Sequence, residues 1–279
     1  MILPADASQG LATRLATEIG EPLAAVDYDR FPDGEQLVTG PASISGRAIV
    51  VGSTVSDGAH LQVLQLQDVA RVAGADEVIT VIPYLGYARQ DESFDPGQPV
   101  SARAVARALS SGTDRLVTVT PHESSVLSFF DVPTTAVDAA PRLAEPLPEL
   151  TDPVFLAPDA DASRLASAVR DAYGRGVTDH FEKQRSSGST VEIHPHDTAV
   201  AGRDVVVVDD IIATGTTMSE AIAHLEGPAR VFVTCVHPLL VGNARLKLAR
   251  AGVTAVHASD TIEGPVSTVS AAPAIADIL

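Results

Sequence analysis

Residues 205–222 read VVVVDDIIATGTTMSEAI. Two adjacent carboxylates, Asp209 and Asp210, precede a loop of small residues and hydroxyls, and the loop runs into a helix-like stretch. A phosphate is held best by backbone N–H groups at a helix N-terminus, where small residues allow close approach. Gly215 permits the tight turn, and Thr214, Thr216 and Thr217 add hydroxyl donors. Carboxylates repel phosphate, so Asp209 and Asp210 must address another part of the same ligand. A sugar phosphate meets both demands, with its phosphate in the loop and its ribose 2- and 3-hydroxyls on the carboxylates, directly or through Mg²⁺. The competing explanation is that the pair ends a strand and caps a helix. No Gly-Lys-Ser/Thr follows, so the loop is not of the Walker type.

The elements that must carry this loop follow from periodicity. Apolar β-branched runs at 47–53, 77–84, 115–121, 153–159, 204–210, 230–238 and 253–259 predict strands. Ala/Leu/Arg-rich amphipathic stretches at 8–20, 58–73, 101–111, 124–130, 161–173, 216–226 and 242–251 predict helices. The alternation of the two, with continuous Val/Ile strands, predicts an α/β protein with parallel sheets covered on both faces. In such folds ligands bind beyond the carboxyl ends of the strands. Four polar clusters fall there: VIPYLGYARQD, VTPHESS, LAPDADAS and VVVVDDIIATGTT. The proline-rich stretch 139–153 is the expected domain boundary, and each half carries its own α/β alternation.

Composition narrows the setting. The chain has 279 residues and 45% apolar content, enough for two domains. No run approaches a membrane span, and the N-terminus lacks the pattern of a signal peptide, so a cytoplasmic location is expected. The single cysteine, Cys235, excludes a disulfide framework and reads as a buried small hydrophobe. There are 36 acidic residues against 19 basic ones, a formal charge of −17. Such a charge argues against nucleic acid as a partner. Combined with a strong hydrophobic pattern, it fits a protein solvated at high salt, where self-repulsion is screened. Only two basic residues are lysines. Lys183 stands in the polar stretch DHFEKQRSSGST, which reads as a flexible loop, and this makes it a candidate for chemistry. Lys247 stands at ordinary helical spacing and reads as a solvated helix residue.

The string around Asp209 resembles the phosphoribosyl-diphosphate signature of type I phosphoribosyltransferases and of ribose-phosphate pyrophosphokinases. RFPDGEQLV, YARQD, PVSARAVARAL, SFFDVP, FEKQR and HPLLVGNA resemble the latter family, in the same order, as do both chain ends. The lysine-poor acidic composition suggests an archaeal member. The resemblance implies two similar phosphoribosyltransferase-like domains, each a mainly parallel sheet flanked by helices. It places an ATP-side domain at 1–146 and a ribose 5-phosphate-side domain at 147–266, with 267–279 returning to the first. It implies transfer of the diphosphoryl group of MgATP to the 1-hydroxyl of ribose 5-phosphate. It further implies Mg²⁺ as cofactor and a homodimer or larger assembly with the ATP site near the subunit interface. A phosphoribosyltransferase that consumes the diphosphate, and a catalytically inactive regulatory relative, are the alternatives.

Site roles then come from the resemblance. Phe31, Asp33 and Glu35 match the adenine contacts that reach a neighbouring subunit's ATP. Arg89, Gln90 and Asp91 match contacts to the ATP phosphates and ribose, and His122 and Asp159 match Mg²⁺ ligands. Lys183 and Arg185 match the catalytic cations of a mobile loop. Asp209, Asp210, Thr214, Gly215, Thr216 and Thr217 match the ribose 5-phosphate site. Simpler explanations stand beside these: "PDGE" is a good turn, and Asp159 could cap the helix that follows it. Three features depart from the commonest pattern: Thr120 and Ala213 stand where many relatives carry Asp, and the stretch after Arg89 and Gln90, DESFDPGQP, is acidic rather than basic.

Overall fold

A computed structural model describes residues 1–160, 162–185 and 191–279; for 183–185 and 191–194 it describes the backbone alone. The chain forms two compact units. The first comprises 1–138 with 261–263 and 270–279; the second comprises 139–260 with 264–269.

In the first unit β1 (Ile2–Pro4) leads into α1 (Gln9–Ile19), and a hairpin of β2 (Asp27–Arg30) and β3 (Gln36–Thr39) follows. The chain continues through β4 (Arg47–Val51), α2 (Asp57–Val72), β5 (Glu77–Ile82), α3 (Ser101–Ser110), β6 (Arg115–Val119) and β7 (Thr134–Val137). The main sheet has the order β1-β4-β5-β6-β7 and is parallel throughout. Its central strands β4, β5 and β6 are buried on both faces, which is why they read as unbroken Val/Ile runs: Ile49, Val50, Val51, Ile79 and Val81 have no exposed surface. Leu3, Val50 and Ile82 pack with Val63 and Leu66 of α2 and Leu109 of α3. The Ser56 hydroxyl caps α2 by accepting the Ala59 N–H at 3.2 Å. The expected helix at 124–130 is instead a 3-10 segment at Ser124–Phe129.

The second unit runs β8 (Val154–Ala157), α4 (Ser163–Tyr173), β9 (Val177–Arg185), β10 (Val191–Pro195), β11 (Asp204–Ile211), α5 (Thr216–Ala223), β12 (Arg230–His237), α6 (Ala244–Arg250), β13 (Ala255–Ser259) and β14 (Ser267–Val269). Its sheet has the order β10-β9-β8-β11-β12-β13-β14, parallel except for the β9–β10 pair. From β8 the chain winds one way to β9, whereas from β11 it winds the other way to β12. The carboxyl ends of β8 and β11 therefore flank the topological switch point, where open α/β sheets form their ligand crevice.

The proline-rich stretch is not a linker. Ala140–Ala144 forms a 3-10 segment packed on α4. The Tyr173 hydroxyl donates to the Pro148 carbonyl at 2.9 Å and accepts the Leu150 N–H at 2.8 Å. The units thus part at Asp138/Ala139 rather than at residue 146. The chain end is divided as well: Ser267–Val269 is an edge strand of the second sheet, while α7 (Ala272–Ala276) belongs to the first unit. There Arg47 donates to the Leu279 carbonyl at 2.8 Å, and Glu263 accepts the Leu11 N–H at 2.8 Å.

Candidate active site

Strand β11 delivers Asp209 and Asp210 to the switch point. Val205–Val208 are buried, as the four valines require, and burial eases where the aspartates begin. Asp209 lies opposite the buried Cys235 of β12. Asp209 Oδ1 accepts the Asp210 N–H at 2.9 Å, and Asp210 Oδ1 accepts the Ile211 N–H at 2.7 Å, so each carboxylate is oriented by the peptide that follows it. Burial pushes the Asp209 carboxyl well above the usual range, and the charges of Asp210 and Asp159 push the same way. Asp159 comes from the end of β8, across the crevice. Its Oδ1 accepts the Ala162 N–H at 3.0 Å, so it orders the start of α4 while remaining exposed. The charge of Asp159 thus reaches Asp209 from the neighbouring strand end, and hydroxyl donors or a cation would relieve the repulsion.

Beyond Asp210 the backbone turns against the segment after β12. The Leu240 N–H donates to Ile212 O at 2.8 Å and the Val241 N–H to Ala213 O at 2.9 Å, which fixes the loop's entry. Gly215 caps α5 with φ +67°, a left-handed conformation that a side chain would strain. Thr214, Thr216 and Thr217 are exposed around it, and the Thr214 and Thr216 hydroxyls lie 3.3 Å apart. The loop and the first turn of α5 bring hydroxyls beside the backbone N–H groups of a helix start, the arrangement an anion requires. Lys247, expected to be a solvated helix residue, reaches this loop from α6. Its Nζ lies 2.6 Å from Thr216 Oγ1 and 3.3 Å from Thr214 O. Helical spacing hid this contact, because its partner is 31 residues away in sequence.

In the first unit, Arg89, Gln90 and Asp91 follow β5. The Gln90 carbonyl accepts the Ala102 N–H at 3.2 Å at the start of α3, and its side-chain oxygen accepts the Ser101 hydroxyl. Asp91 Oδ2 accepts the Ser125 hydroxyl at 3.3 Å, which draws this loop to the segment holding His122 after β6. Arg89 is exposed, and among the described residues it makes no ion pair. Thr120, just before His122, has φ +36°, an outlier for a β-branched residue at the carboxyl end of a strand. Phe31, Asp33 and Glu35 occupy the tip of the β2–β3 hairpin. The Phe31 N–H donates to Glu35 O at 2.8 Å and Asp33 Oδ1 accepts the Glu35 N–H at 3.1 Å, so the turn is closed by its own residues. Phe31 is 49% exposed, an aromatic ring offered outward. Among the described residues no hydrogen bond joins these three to Arg89, Gln90 or Asp91.

Lys183 and Arg185 were expected in a loop; their backbone instead continues strand β9. Lys183 pairs with Ile193 and Arg185 with Val191. Their side chains, and residues 186–190, lie outside the described residues. The base of the hairpin is anchored by Asp179, whose Oδ2 accepts the N–H groups of Asp197 at 3.0 Å and Thr198 at 2.8 Å.

A cluster of three or more His, Cys, Asp or Glu side chains placed to hold a metal is absent among the described residues. Mg²⁺ uses one or two carboxylates together with substrate phosphates and water, so the exposed Asp159 carboxylate suits it without such a cluster. No helix among the described residues is long and apolar enough to cross a membrane.

The doubly wound second sheet, with paired carboxylates and an anion loop at its switch point, defines a protein of the phosphoribosyltransferase class. Comparison with known proteins narrows this. Residues 1–112 match the N-terminal domain of ribose phosphate pyrophosphokinase, and residues 138–267 match the phosphoribosyl transferase domain. The chain is 67% identical over 281 residues to the ribose-phosphate pyrophosphokinase of Halobacterium salinarum, covering 100% of both. It is 44% identical over 274 residues to that of Methanopyrus kandleri, covering 96% of this chain and 94% of the relative. The crystal structure of phosphoribosylpyrophosphate synthetase from Mycobacterium smegmatis superposes with a TM-score of 0.82 at 26% identity, covering 99% of this chain and 96% of that one. The chain belongs to the ribose-phosphate pyrophosphokinase family. Its two phosphoribosyltransferase-like domains follow from the same matches.

Proposed function

We propose that this chain transfers the diphosphoryl group of MgATP to the 1-hydroxyl of ribose 5-phosphate, giving 5-phosphoribosyl 1-diphosphate and AMP. The observation that carries the proposal is full-length similarity, at 67% identity, to a ribose-phosphate pyrophosphokinase. A phosphoribosyltransferase would not account for the match of residues 1–112.

The ribose 5-phosphate rests in the second unit. Gly215, Thr214, Thr216 and Thr217 receive its phosphate, and Asp209 and Asp210 accept hydrogen bonds from its ribose hydroxyls. The raised affinity of Asp209 for a proton supports this role, because hydroxyl donors at that position replace the missing counter-charge. ATP is held by Arg89, Gln90 and Asp91, with Phe31, Asp33 and Glu35 reaching the nucleotide of a neighbouring copy in a homodimer or larger assembly. The exposed, self-closed hairpin tip supports the last assignment. Mg²⁺ would be held by His122 and Asp159, and when bound it neutralises charge on the ATP phosphates. Lys183 and Arg185 place positive charge on the transferring group, Arg bidentately and Lys as a point charge. The 1-hydroxyl oxygen bonds to the β-phosphorus and its proton is released to water, the bond from that phosphorus to the α–β bridging oxygen breaks, and AMP departs with that oxygen. Positioning and charge neutralisation dominate such transfers. The test is AMP formation from ATP. Dependence on both ribose 5-phosphate and Mg²⁺ is expected; AMP formation without ribose 5-phosphate, or none at all, overturns the assignment.

A further inference from the structure

We propose that Lys247 is a positioning residue of the phosphate loop, supplying the fixed positive charge for the 5-phosphate of ribose 5-phosphate; this rests on the function proposed above. The structural basis is the reach of its ammonium from α6 to the loop, 2.6 Å to Thr216 Oγ1 and 3.3 Å to Thr214 O. An ammonium carries three donors and no acceptor. Thr216 Oγ1 must therefore accept from Lys247, which leaves its own hydroxyl proton to be donated elsewhere. Thr214 Oγ1, 3.3 Å away, is too distant for a strong bond, so the proton is available to an anion. The contact with Thr214 O, weaker at 3.3 Å, acts on the backbone. In a trans peptide the carbonyl and the following N–H point in opposite directions, so anchoring this carbonyl sets the direction of the Gly215 N–H.

Charge supplies the second argument. The chain carries a formal −17, and Asp209 and Asp210 lie six and five residues before the cap of α5. A dianionic phosphate entering that field needs a positive charge close by. Among the described residues Lys247 makes no ion pair with a carboxylate, so its charge is not cancelled within the unit. It is one of two lysines in the chain, and the other lies on β9.

The test uses the full-length protein with Lys247→Met, which keeps the stem and removes the charge, and Lys247→Arg, which keeps the charge. In Lys247→Met the KM for ribose 5-phosphate should rise roughly 10- to 100-fold, the range of one charge-assisted hydrogen bond. The turnover number and the KM for ATP should stay within about twofold on the same argument. Lys247→Arg should restore most of the lost affinity. Wild-type KM for ribose 5-phosphate in Lys247→Met overturns the proposal, even if thermal stability falls, because the lysine is then only a strap between α6 and the loop. The two inferences fail differently. A wild-type protein without ribose 5-phosphate-dependent AMP formation removes the proposed reaction and this role with it. Normal wild-type turnover with an indifferent Lys247→Met removes this role alone.

Discussion

Gly215→Ala measures what the geometry of the proposed phosphate loop is worth. Gly215 sits at φ +67°, and a Cβ there would lie 3.3 Å from the Ala244 carbonyl oxygen and 3.4 Å from the Ala244 Cβ. The left-handed region costs a residue with a Cβ roughly 1–2 kcal/mol. The crowding adds to this, because Ala244 is fully buried at the start of α6 and cannot easily withdraw. This free energy must surface in one of two measurements. If the loop holds its shape, the folded state carries the strain and Tm falls by about 2–4 °C per kcal/mol. If the loop relaxes, its N–H groups leave their positions and binding must restore them, which raises the KM for ribose 5-phosphate about 5- to 30-fold. The two losses together should amount to at least about 1 kcal/mol, with the KM for ATP unchanged. Thermal melts, and initial rates of AMP formation at saturating MgATP with ribose 5-phosphate varied, read both. A variant with wild-type Tm and wild-type KM refutes the reasoning.

Lys183→Ala should lower turnover about 10³-fold, the scale of one lost positioned charge, while ribose 5-phosphate binding changes little; near-normal turnover would make Lys183 a surface residue. Asp210→Ala should weaken ribose 5-phosphate far more than ATP, and a calorimetric titration with the reverse ranking would move Asp210 to the ATP metal site. Asp204→Asn removes the fully buried partner of Arg230, whose Nε donates to it at 2.9 Å, and costs about 2 kcal/mol at neutral pH, less than a fully enclosed pair because Arg230 is 39% exposed. The Arg230 hydrogen bonds hold the Asp204 carboxyl below its usual range, so its stabilisation is present above the unfolded value and is lost as pH falls through the folded one. The stability gap between wild type and variant in urea titrations should thus narrow below about pH 4, and a constant gap would refute the account. Stability and activity should both rise from about 0.1 M to molar KCl, because 36 acidic residues repel at low salt and the Debye length shrinks from ~10 Å to ~3 Å; Mg²⁺ should substitute at much lower concentration, and flat melting curves across this range would sink the high-salt argument.

Elements that bury both faces, or one continuous stripe, were legible from residues alone. The Val/Ile strands at β4, β5, β6, β8, β11, β12 and β13 appeared close to their expected bounds, because burial demands an apolar run whatever the partner. The loop proposed to hold the phosphate was legible as a turn between a buried strand and a helix, since its Gly and Thr types and its place after β11 are local features. Strands whose side chains alternate with solvent escaped. The β2–β3 hairpin reads DYDR and QLVT, and β9 passes through HFEKQR, so neither offers an apolar run. These hairpins exist because backbone pairing with a nearby strand stabilises them, and single-strand patterning does not encode that pairing.

Four further features required the tertiary structure. The division at Asp138 depended on Tyr173 binding the 148–150 backbone, a contact that makes a proline-rich stretch part of a unit rather than a linker. The division of the chain end, with β14 in one sheet and α7 in the other unit, depended on edge pairing and on Arg47 reaching Leu279. The convergence of Asp159 on Asp209 came from sheet order, because the crevice opens only where β8 and β11 wind apart. Lys247 is the sharpest case. Its spacing described a solvated helix position, and only the packing of α6 beside α5 brought its ammonium to the Thr214–Thr216 loop. Residue type and period report how each element meets solvent and core; which element lies beside which is set by long-range packing, and this site is assembled from both.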